Sequence, residues 1–166
     1  MTDPSLDDHL EIITRAIFQA GLSWAFIGTR WDTFREAFEQ FDTRRVAAYG
    51  TFEIDRLMHT EGVVHSEKKL AGTVANAKTL VAIEQEFGNI DAYIGGFASY
   101  AELLADARKR FAFFGDLSCY YWLFRTGNAV PLFEDWIAGQ PKDHPRLREM
   151  IQTARAESTS SERAGY

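Results

Sequence analysis

The stretch AIFQAGLSW, residues 16–24, contains the first residues whose types and spacing point to a binding role. It begins with the apolar spacing of a buried helix, but Gly21 breaks this pattern and is followed by Leu22, Ser23 and Trp24. A turn that carries two large apolar side chains past a glycine either packs them into the core or presents them to a ligand. These residues by themselves leave both alternatives open.

A candidate anion site lies in the sequence FAFFGD, residues 111–116. Two helical patterns flank this short apolar turn, which contains Gly115, and Asp116 is the expected N-cap of the second helix. The first N–H groups of a helix have no acceptor within the helix and attract anions such as phosphate. Lys68 and Lys69 open another predicted helix, and they are either electrostatic neighbours of a binding site or part of a solvated face.

The other reactive side chains show no arrangement typical of catalysis or of metal binding. The four histidines are scattered, without the i, i+4 spacing or the Cys partners of a zinc site. Cys119 and Ser118 lie in an apolar helical segment with no His close in sequence, as core residues do. No carboxylate is distinguished by its setting, so the sequence assigns no catalytic residue and predicts neither a metal nor a cofactor.

Helical spacing recurs along the chain, whereas the alternation typical of strands does not. The first helix is expected behind Asp7 or Asp8 as N-cap, and the longest one follows Ser66. Pro131 and Pro145 are expected to start the last two helices. An aromatic stripe at helical spacing is expected in the core: Trp31, Phe34, Phe38 and Phe41. The sequence therefore predicts an all-α fold, a compact domain of many helices.

Length and composition fit one domain. The chain has 166 residues, 46% of them hydrophobic and 14% aromatic, which suffices for a single core. We expect this domain over residues 1–156 and a disordered, Ser-rich tail over residues 157–166. A single cysteine, no signal-peptide pattern and no long apolar window predict a soluble, cytoplasmic protein. The net charge of −6 argues against a nonspecific nucleic-acid coat.

Four segments resemble the DNA-3-methyladenine glycosylase I family in their order and spacing. They are FQAGLSW at residues 18–24, FREAFEQFDTRRVA at 34–47, GVVHSEKKLAGTVANAK at 62–78 and RFAFFGDLSCYYWLFRTG at 110–127. The family belongs to the helix-hairpin-helix glycosylase superfamily. The resemblance therefore implies a helix-hairpin-helix element in which Phe111 to Asp116 form the hairpin.

The resemblance also implies a role in base-excision DNA repair. Such enzymes flip a damaged nucleotide out of the duplex, bind the base against an aromatic wall and fill the gap with an apolar side chain. By position, Trp24 would be a wall of the base pocket, while Leu22 with Gly21 would press into the duplex. Gln19 would line the mouth of the same pocket.

The implied partner is double-stranded DNA with a damaged base. The hairpin amides near Gly115 would bind a backbone phosphate, with Lys68 and Lys69 as nearby positive charges. An N3-methylated adenine nucleoside already carries a positive charge and a weakened glycosidic bond. Electrostatics and strain around an attacking water could therefore suffice for hydrolysis without a strong general base.

The chain departs from the family at two places. Family members usually begin with an added segment that supplies a zinc-binding Cys and aromatic pocket residues, and further His and Cys ligands follow the hairpin helix, where this chain has NAVP at 128–131. The resemblance thus implies a shortened member that lacks the zinc site. The pocket Glu of the family falls at Ala16, whose side chain accepts no hydrogen bond. Either another group such as Glu11 replaces it, or the ligand differs.

Three functions remain open from the sequence. The first is a DNA glycosylase that excises an alkylated base, 3-methyladenine or a similar one. The second is a noncatalytic DNA-damage-binding domain on the same scaffold, which the loss at Ala16 favours. The third is a helical domain that binds a protein or a small molecule, which the acidic net charge favours.

Overall fold

The computed structural model describes residues 3–20 and 24–140, including the backbone but not the side chain of Trp24. No strand occurs in these ranges, so the predicted all-α fold is confirmed. The helix predicted from Pro145 and the predicted tail at residues 157–166 lie outside the described residues. The helices are α1 (Leu6–Gln19), α2 (Trp24–Ala37), α3 (Thr43–Ala47), α4 (Thr51–Met58), α5 (Glu67–Phe87), α6 (Ile90–Gly95), α7 (Tyr100–Arg110), α8 (Asp116–Arg125) and α9 (Phe133–Ala138).

Side-chain caps explain where several helices begin. Ser5, and not the predicted Asp7 or Asp8, is the N-cap of α1. The Ser5 hydroxyl accepts a hydrogen bond from the Asp8 amide at 3.1 Å, and the Asp8 carboxylate accepts one from the Ser5 amide at 2.8 Å. This reciprocal pair is a capping box. Asp42 caps α3, and Ser66 caps α5 as predicted.

The predicted aromatic stripe is buried, but only part of it is helical. Trp31 stacks on Phe34 and on Phe41, and Phe41 stacks on Phe38, with ring centroids 5.3, 5.5 and 5.3 Å apart. Helix α2 ends at Ala37, and a 3-10 turn over Glu39–Phe41 has φ angles of 52°, 60° and 54°. Such left-handed angles are strained for non-glycine residues. Burial of each ring stabilises the fold by about 1.5–3 kcal/mol and offsets this strain.

Helices α1 and α5 organise the domain. Helix α5 packs against α1, α3, α4 and α6, while α1 also packs against α2 and α8. The α1–α8 contact includes a buried pair in which Trp122 Nε1 donates to His9 Nδ1 at 2.9 Å. Burial lowers the pKa of His9, which favours the neutral ring that accepts this bond. None of the described helices is long and apolar enough to cross a membrane.

Candidate nucleic-acid interface and base pocket

The turn between α7 and α8 is bound to the side of α5 through its backbone. Asn76 on α5 bonds both polar groups of Ala112: its Oδ1 accepts from the Ala112 amide at 2.7 Å, and its Nδ2 donates to the Ala112 carbonyl at 3.2 Å. Thr79, also on α5, donates its hydroxyl to the Arg110 carbonyl at 3.1 Å. These bonds fix the end of α7 and the direction of the chain in the turn that follows.

Phe113 lies at the outer edge of this turn. Its φ is +53°, an uncommon value for a bulky residue, and half of its side chain is exposed. The ring packs directly over Gly72 of α5: a Cβ atom on Gly72 would lie 2.7 Å from a carbon of the Phe113 ring. Because only glycine leaves room for this contact, Gly72 sets the position of the turn against α5. By contrast, Phe111 and Phe114 are buried against Trp122.

The N-terminus of α8 is capped differently from the prediction. Gly115, and not Asp116, is the N-cap, and no described side chain bonds the amides of the first turn. A Cβ atom on Gly115 would meet no described atom within 4 Å, so this helix end is open. The Asp116 carboxylate turns away from it, and accepts hydrogen bonds from Tyr100, Trp136 and Gln140 at 2.6–2.9 Å. The Asp116 carboxylate therefore does not cap the amides at the start of α8.

Lys68 and Lys69 lie in the first turn of α5, one turn before Gly72. Lys68 is exposed, whereas Lys69 is half-buried, with its Nζ 6.0 Å from the ring centroid of Phe18 on α1. Burial lowers the pKa of Lys69. Because Phe113 covers Gly72 and Lys69 covers Phe18, the structure brings the two lysines between the hairpin turn and the end of α1. We call Lys68, Lys69, Phe113 and Gly115 the hairpin surface.

The end of α1 carries a buried amide. Gln19 is the last residue of α1 and is fully buried, yet neither its Oε1 nor its Nε2 has a hydrogen-bond partner among the described residues. An unpaired buried amide costs about 1–3 kcal/mol. Gly21 and Leu22 lie outside the described residues, and of Trp24 only the backbone at the start of α2 is described.

Ala16 does not face an open pocket. It is 5% exposed and packs in a small apolar cluster with Tyr120, Tyr121 and Trp136. The rings of Tyr120 and Trp136 stack with their centroids 4.0 Å apart. The position at which the resemblance implies a carboxylate is therefore closed by aromatic side chains of α8 and α9.

A charged cleft lies beside Ala16, between α1, α2 and α8. Its volume is about 410 Å³, and its walls include Glu11, Arg15, Trp31, Arg35, Tyr121 and Arg125. The Arg15 guanidinium lies 5.5 Å from the Trp31 ring centroid, and that of Arg125 lies 6.0 Å from the Tyr121 ring centroid. Glu11 Oε1 accepts from Trp31 Nε1 at 3.0 Å and pairs with Arg35 at 3.4 Å. We call this feature the Arg15 cleft.

Within residues 3–20 and 24–140, no group of His, Cys, Asp and Glu side chains is placed to hold a metal ion. Cys119 is buried, and burial raises the pKa of its thiol to about 12. A thiol with so high a pKa is not a nucleophile at neutral pH. The Cys119 thiol is therefore not suited to act as a nucleophile.

Several of these residues have no distinctive signal in the sequence. Arg15, Arg35 and Arg125 are ordinary polar positions of amphipathic helices, and only the packing of three helices brings them together. Asn76 sits inside an apolar helical pattern, where a polar residue often has a structural partner. That partner, the backbone of Ala112, is 36 residues away.

The order of the helices and the α7–α8 turn define a helical protein with the fold of the 3-methyladenine DNA glycosylases. A solved 3-methyladenine DNA glycosylase I from Staphylococcus aureus superposes with a TM-score of 0.64 at 26% identity, covering 74% of this chain and 77% of that one. The methyladenine glycosylase family model matches residues 3–112, and the chain belongs to this family.

Two bacterial relatives support the assignment. A DNA-3-methyladenine glycosylase from Haemophilus influenzae is 28% identical over 130 residues, which are 66% of this chain and 70% of the relative. DNA-3-methyladenine glycosylase 1 from Escherichia coli is 25% identical over 142 residues, 73% of this chain and 74% of the relative. The family match ends at Ala112, so α8 and α9, which close over Ala16, lie beyond it.

Proposed function

We propose that this protein is a base-excision-repair DNA glycosylase of the cytoplasm. It flips an altered base, 3-methyladenine or another alkylated base, out of double-stranded DNA and hydrolyses the N-glycosidic bond. In this proposal Gln19, Gly21, Leu22 and Trp24 form the base-pocket mouth and the wedge in the duplex. A backbone phosphate binds at the open end of α8.

The observation that carries the proposal is the continuity of the hairpin surface with the end of α1. Phe113 on Gly72 places the uncapped N-terminus of α8 beside α5, and Lys69 over Phe18 continues this surface to Gln19. Two positive side chains and a helix N-terminus are the groups that bind a DNA backbone. A protein of this family, with that surface continuing to the end of α1, is suited to hold a duplex while one base is extruded.

The reaction requires little of the protein when the base is a good leaving group. The bond between C1′ of the sugar and the base nitrogen breaks, and its electron pair goes to the base. A water molecule adds to C1′ and loses a proton. An N3-methylated adenine leaves as a neutral molecule, so the main contribution of the protein is to flip, orient and stabilise the developing sugar cation. No described side chain is assigned as the general base.

A single-turnover assay of base release from duplex DNA tests this proposal. We expect release of 3-methyladenine above the rate in buffer, and a loss of at least about tenfold in the Trp24→Ala variant, because base stacking contributes about 1–3 kcal/mol. Phe52→Ala is the control: this side chain is 79% exposed on α4, away from the hairpin surface, and its removal should change nothing.

Ala16 and its aromatic cover favour one other function, a damage-binding domain without catalysis. That function predicts tight, salt-sensitive binding to DNA with an abasic site, but no base release from any altered duplex. Absence of both binding and release would refute a DNA function altogether.

A further inference from the structure

We propose that Phe113 is an apolar wedge that enters the minor groove of double-stranded DNA and bends the duplex. Arg108 and Lys109, at the end of α7, bind backbone phosphates beside this wedge. The inference rests on the proposed function and deepens it, because it assigns the way in which the protein holds the duplex around the hairpin turn.

The turn between α7 and α8 keeps one large apolar ring in solvent. Phe111 and Phe114 are buried against Trp122, whereas half of the Phe113 side chain is exposed. The φ angle of Phe113 is +53°, which is unfavourable for a bulky residue. Such strained conformations cluster at functional sites, where the surrounding structure maintains them. The exposed ring therefore calls for a role other than core packing.

The Phe113 ring is supported by the backbone of α5. Its Cδ2 and Cε2 atoms would lie 2.7 and 2.9 Å from a Cβ atom on Gly72, so this edge of the ring rests directly on the helix. Asn76 holds the adjoining part of the turn through both backbone polar groups of Ala112. Bending a duplex costs free energy, so a wedge must not yield when the DNA presses on it. A ring that rests on a helix backbone meets this requirement.

Positive charge lies on both sides of the ring along α5. Lys68 is exposed, one turn before the Gly72 on which Phe113 rests. In the other direction, Thr79 lies about two turns after Gly72 and bonds the Arg110 carbonyl at the end of α7. Lys68 and the end of α7 therefore lie on opposite sides of Phe113.

Arg108 and Lys109 supply the charge at the end of α7, and both are exposed. Arg110 pairs with Asp106 and Glu86, whereas neither Arg108 nor Lys109 forms an ion pair within the described residues. The minor groove offers the complement of an apolar ring between cations, because its sugars and base edges lie between two phosphate backbones. Proteins that bind this groove often insert a Phe side chain and kink the duplex.

Binding to a DNA duplex with an abasic site, labelled at both ends for energy transfer, measures affinity and bend together. Phe113→Asn removes the apolar ring, and Asn tolerates the positive φ of this turn. We expect about tenfold weaker binding, because the exposed half of the ring no longer leaves water, and a smaller bend. The dependence of affinity on salt should not change, since the ring neutralises no phosphate. Phe113→Leu, close to Asn in size but apolar, should keep most of the affinity and of the bend.

Three further measurements complete the test. Arg108→Gln and Lys109→Gln should each lower the slope of log affinity against log salt concentration by about 0.9. Phe52→Ala is the control, because its ring is 79% exposed on α4, away from the hairpin surface, and it should change neither affinity nor bend. A duplex RNA, whose minor groove is wide and shallow, should bind more weakly and with no dependence on Phe113.

Equal effects of Phe113→Asn and Phe113→Leu, or an unchanged bend in Phe113→Asn, would overturn the wedge. A duplex RNA whose binding depends on Phe113 to the same extent would overturn it as well. Unchanged salt slopes in both Arg108→Gln and Lys109→Gln would overturn the contact made by α7. In each case, base release by the unmodified protein would leave the glycosylase function standing. If the unmodified protein neither binds DNA nor releases a base, the inference and the proposed function are both wrong.

Discussion

The hairpin surface and the Arg15 cleft both contain cationic side chains, but they are built in different ways. The hairpin surface is positioned by backbone contacts, through Asn76 to Ala112 and through Gly72 beneath Phe113, and it is open to solvent. The cleft is built from long side chains whose guanidinium groups lie near aromatic rings, between three helices.

This difference separates two tasks of DNA recognition. A phosphate is the same at every nucleotide, so a rigid surface with a helix N-terminus serves any sequence. A base is distinguished by its charge and its hydrogen-bonding edge, which a cleft of side chains can change by single substitutions. Variants of the hairpin surface should therefore alter the affinity for intact and damaged DNA alike.

Asn76→Leu should have the largest effect, because it removes the link between α5 and the hairpin. The variant leaves the buried N–H and C=O groups of Ala112 without their partner, which should cost about 3 kcal/mol of unfolding free energy. Urea unfolding measures this loss. DNA affinity should fall equally for intact and damaged duplexes.

Thr79→Val is the control for that change, because it perturbs the same contact between α5 and the hairpin turn less strongly. It removes the hydroxyl that lies within hydrogen-bond distance of the Arg110 and Ala75 carbonyls, and should cost about 1 kcal/mol. Equal effects of the two variants would show that Asn76 has no special role in holding the turn.

Acid should weaken the α1–α8 contact that Trp122 and His9 form. Burial holds the pKa of His9 below its ordinary value of 6.5, although Asp91 and Asp8 act to raise it. Stability is therefore full above pH 6.5 and falls as the pH drops from there towards the lower pKa of the folded state, since the unfolded chain takes up the proton first. Because a single group titrates, the free energy of unfolding changes by at most about 1.4 kcal/mol per pH unit.

Urea unfolding between pH 7.5 and 5 checks this expectation. His9→Gln retains an acceptor for Trp122 but does not titrate, so its stability should lose this pH dependence. His59, whose side chain is 76% exposed, is the control, and His59→Gln should behave like the unmodified protein. If the stability of His9→Gln still declines as the pH falls, the decline is caused by other titrating groups.

The sequence predicted the fold more completely than the site. Apolar spacing placed most of the described helices but not α6, and the start of α5 behind Ser66 followed from residue type. The spacing of Phe38 and Phe41 predicted burial correctly but suggested a continued helix, since a left-handed turn has no signature in residues without glycine. The cap at Gly115 was missed because Asp is the more usual N-cap, and Asp116 instead bonds side chains distant in sequence.

The proposed site residues divide in the same way. Lys68, Lys69 and Gly115 were found from local patterns, and the structure places Lys69 and the hairpin turn along the same helix, although their DNA contacts remain a prediction. The Arg15 cleft depends on three helices far apart in the sequence, and a single sequence gives no signal for such packing. The assigned roles of Gln19, Gly21, Leu22 and Trp24 stay predictions as well.

Gly72→Ala should produce a smaller, local change. The new Cβ would lie 2.7 and 2.9 Å from ring carbons of Phe113, so the ring must move off α5. Because the ring is half exposed and can swing outward, we expect about 1 kcal/mol of lost stability and a few-fold loss of DNA affinity. The double variant with Phe113→Ala should lose less stability than the sum of the two single variants, as expected for residues in contact. Additive losses would mean that the ring does not rest on Gly72.

Lys69→Gln should have the smallest effect on DNA affinity. Its effect should be seen in how that affinity depends on salt concentration. Each phosphate neutralised by a lysine contributes about 0.9 to the slope of log affinity against log salt concentration. Loss of Lys69 should therefore reduce this slope by about 0.9 for intact and damaged duplexes alike. Lys78→Gln, further along α5, should leave the slope unchanged. An equal reduction of the slope in Lys78→Gln would mean that the effect does not depend on the hairpin surface, and the proposed role of Lys69 would then be wrong.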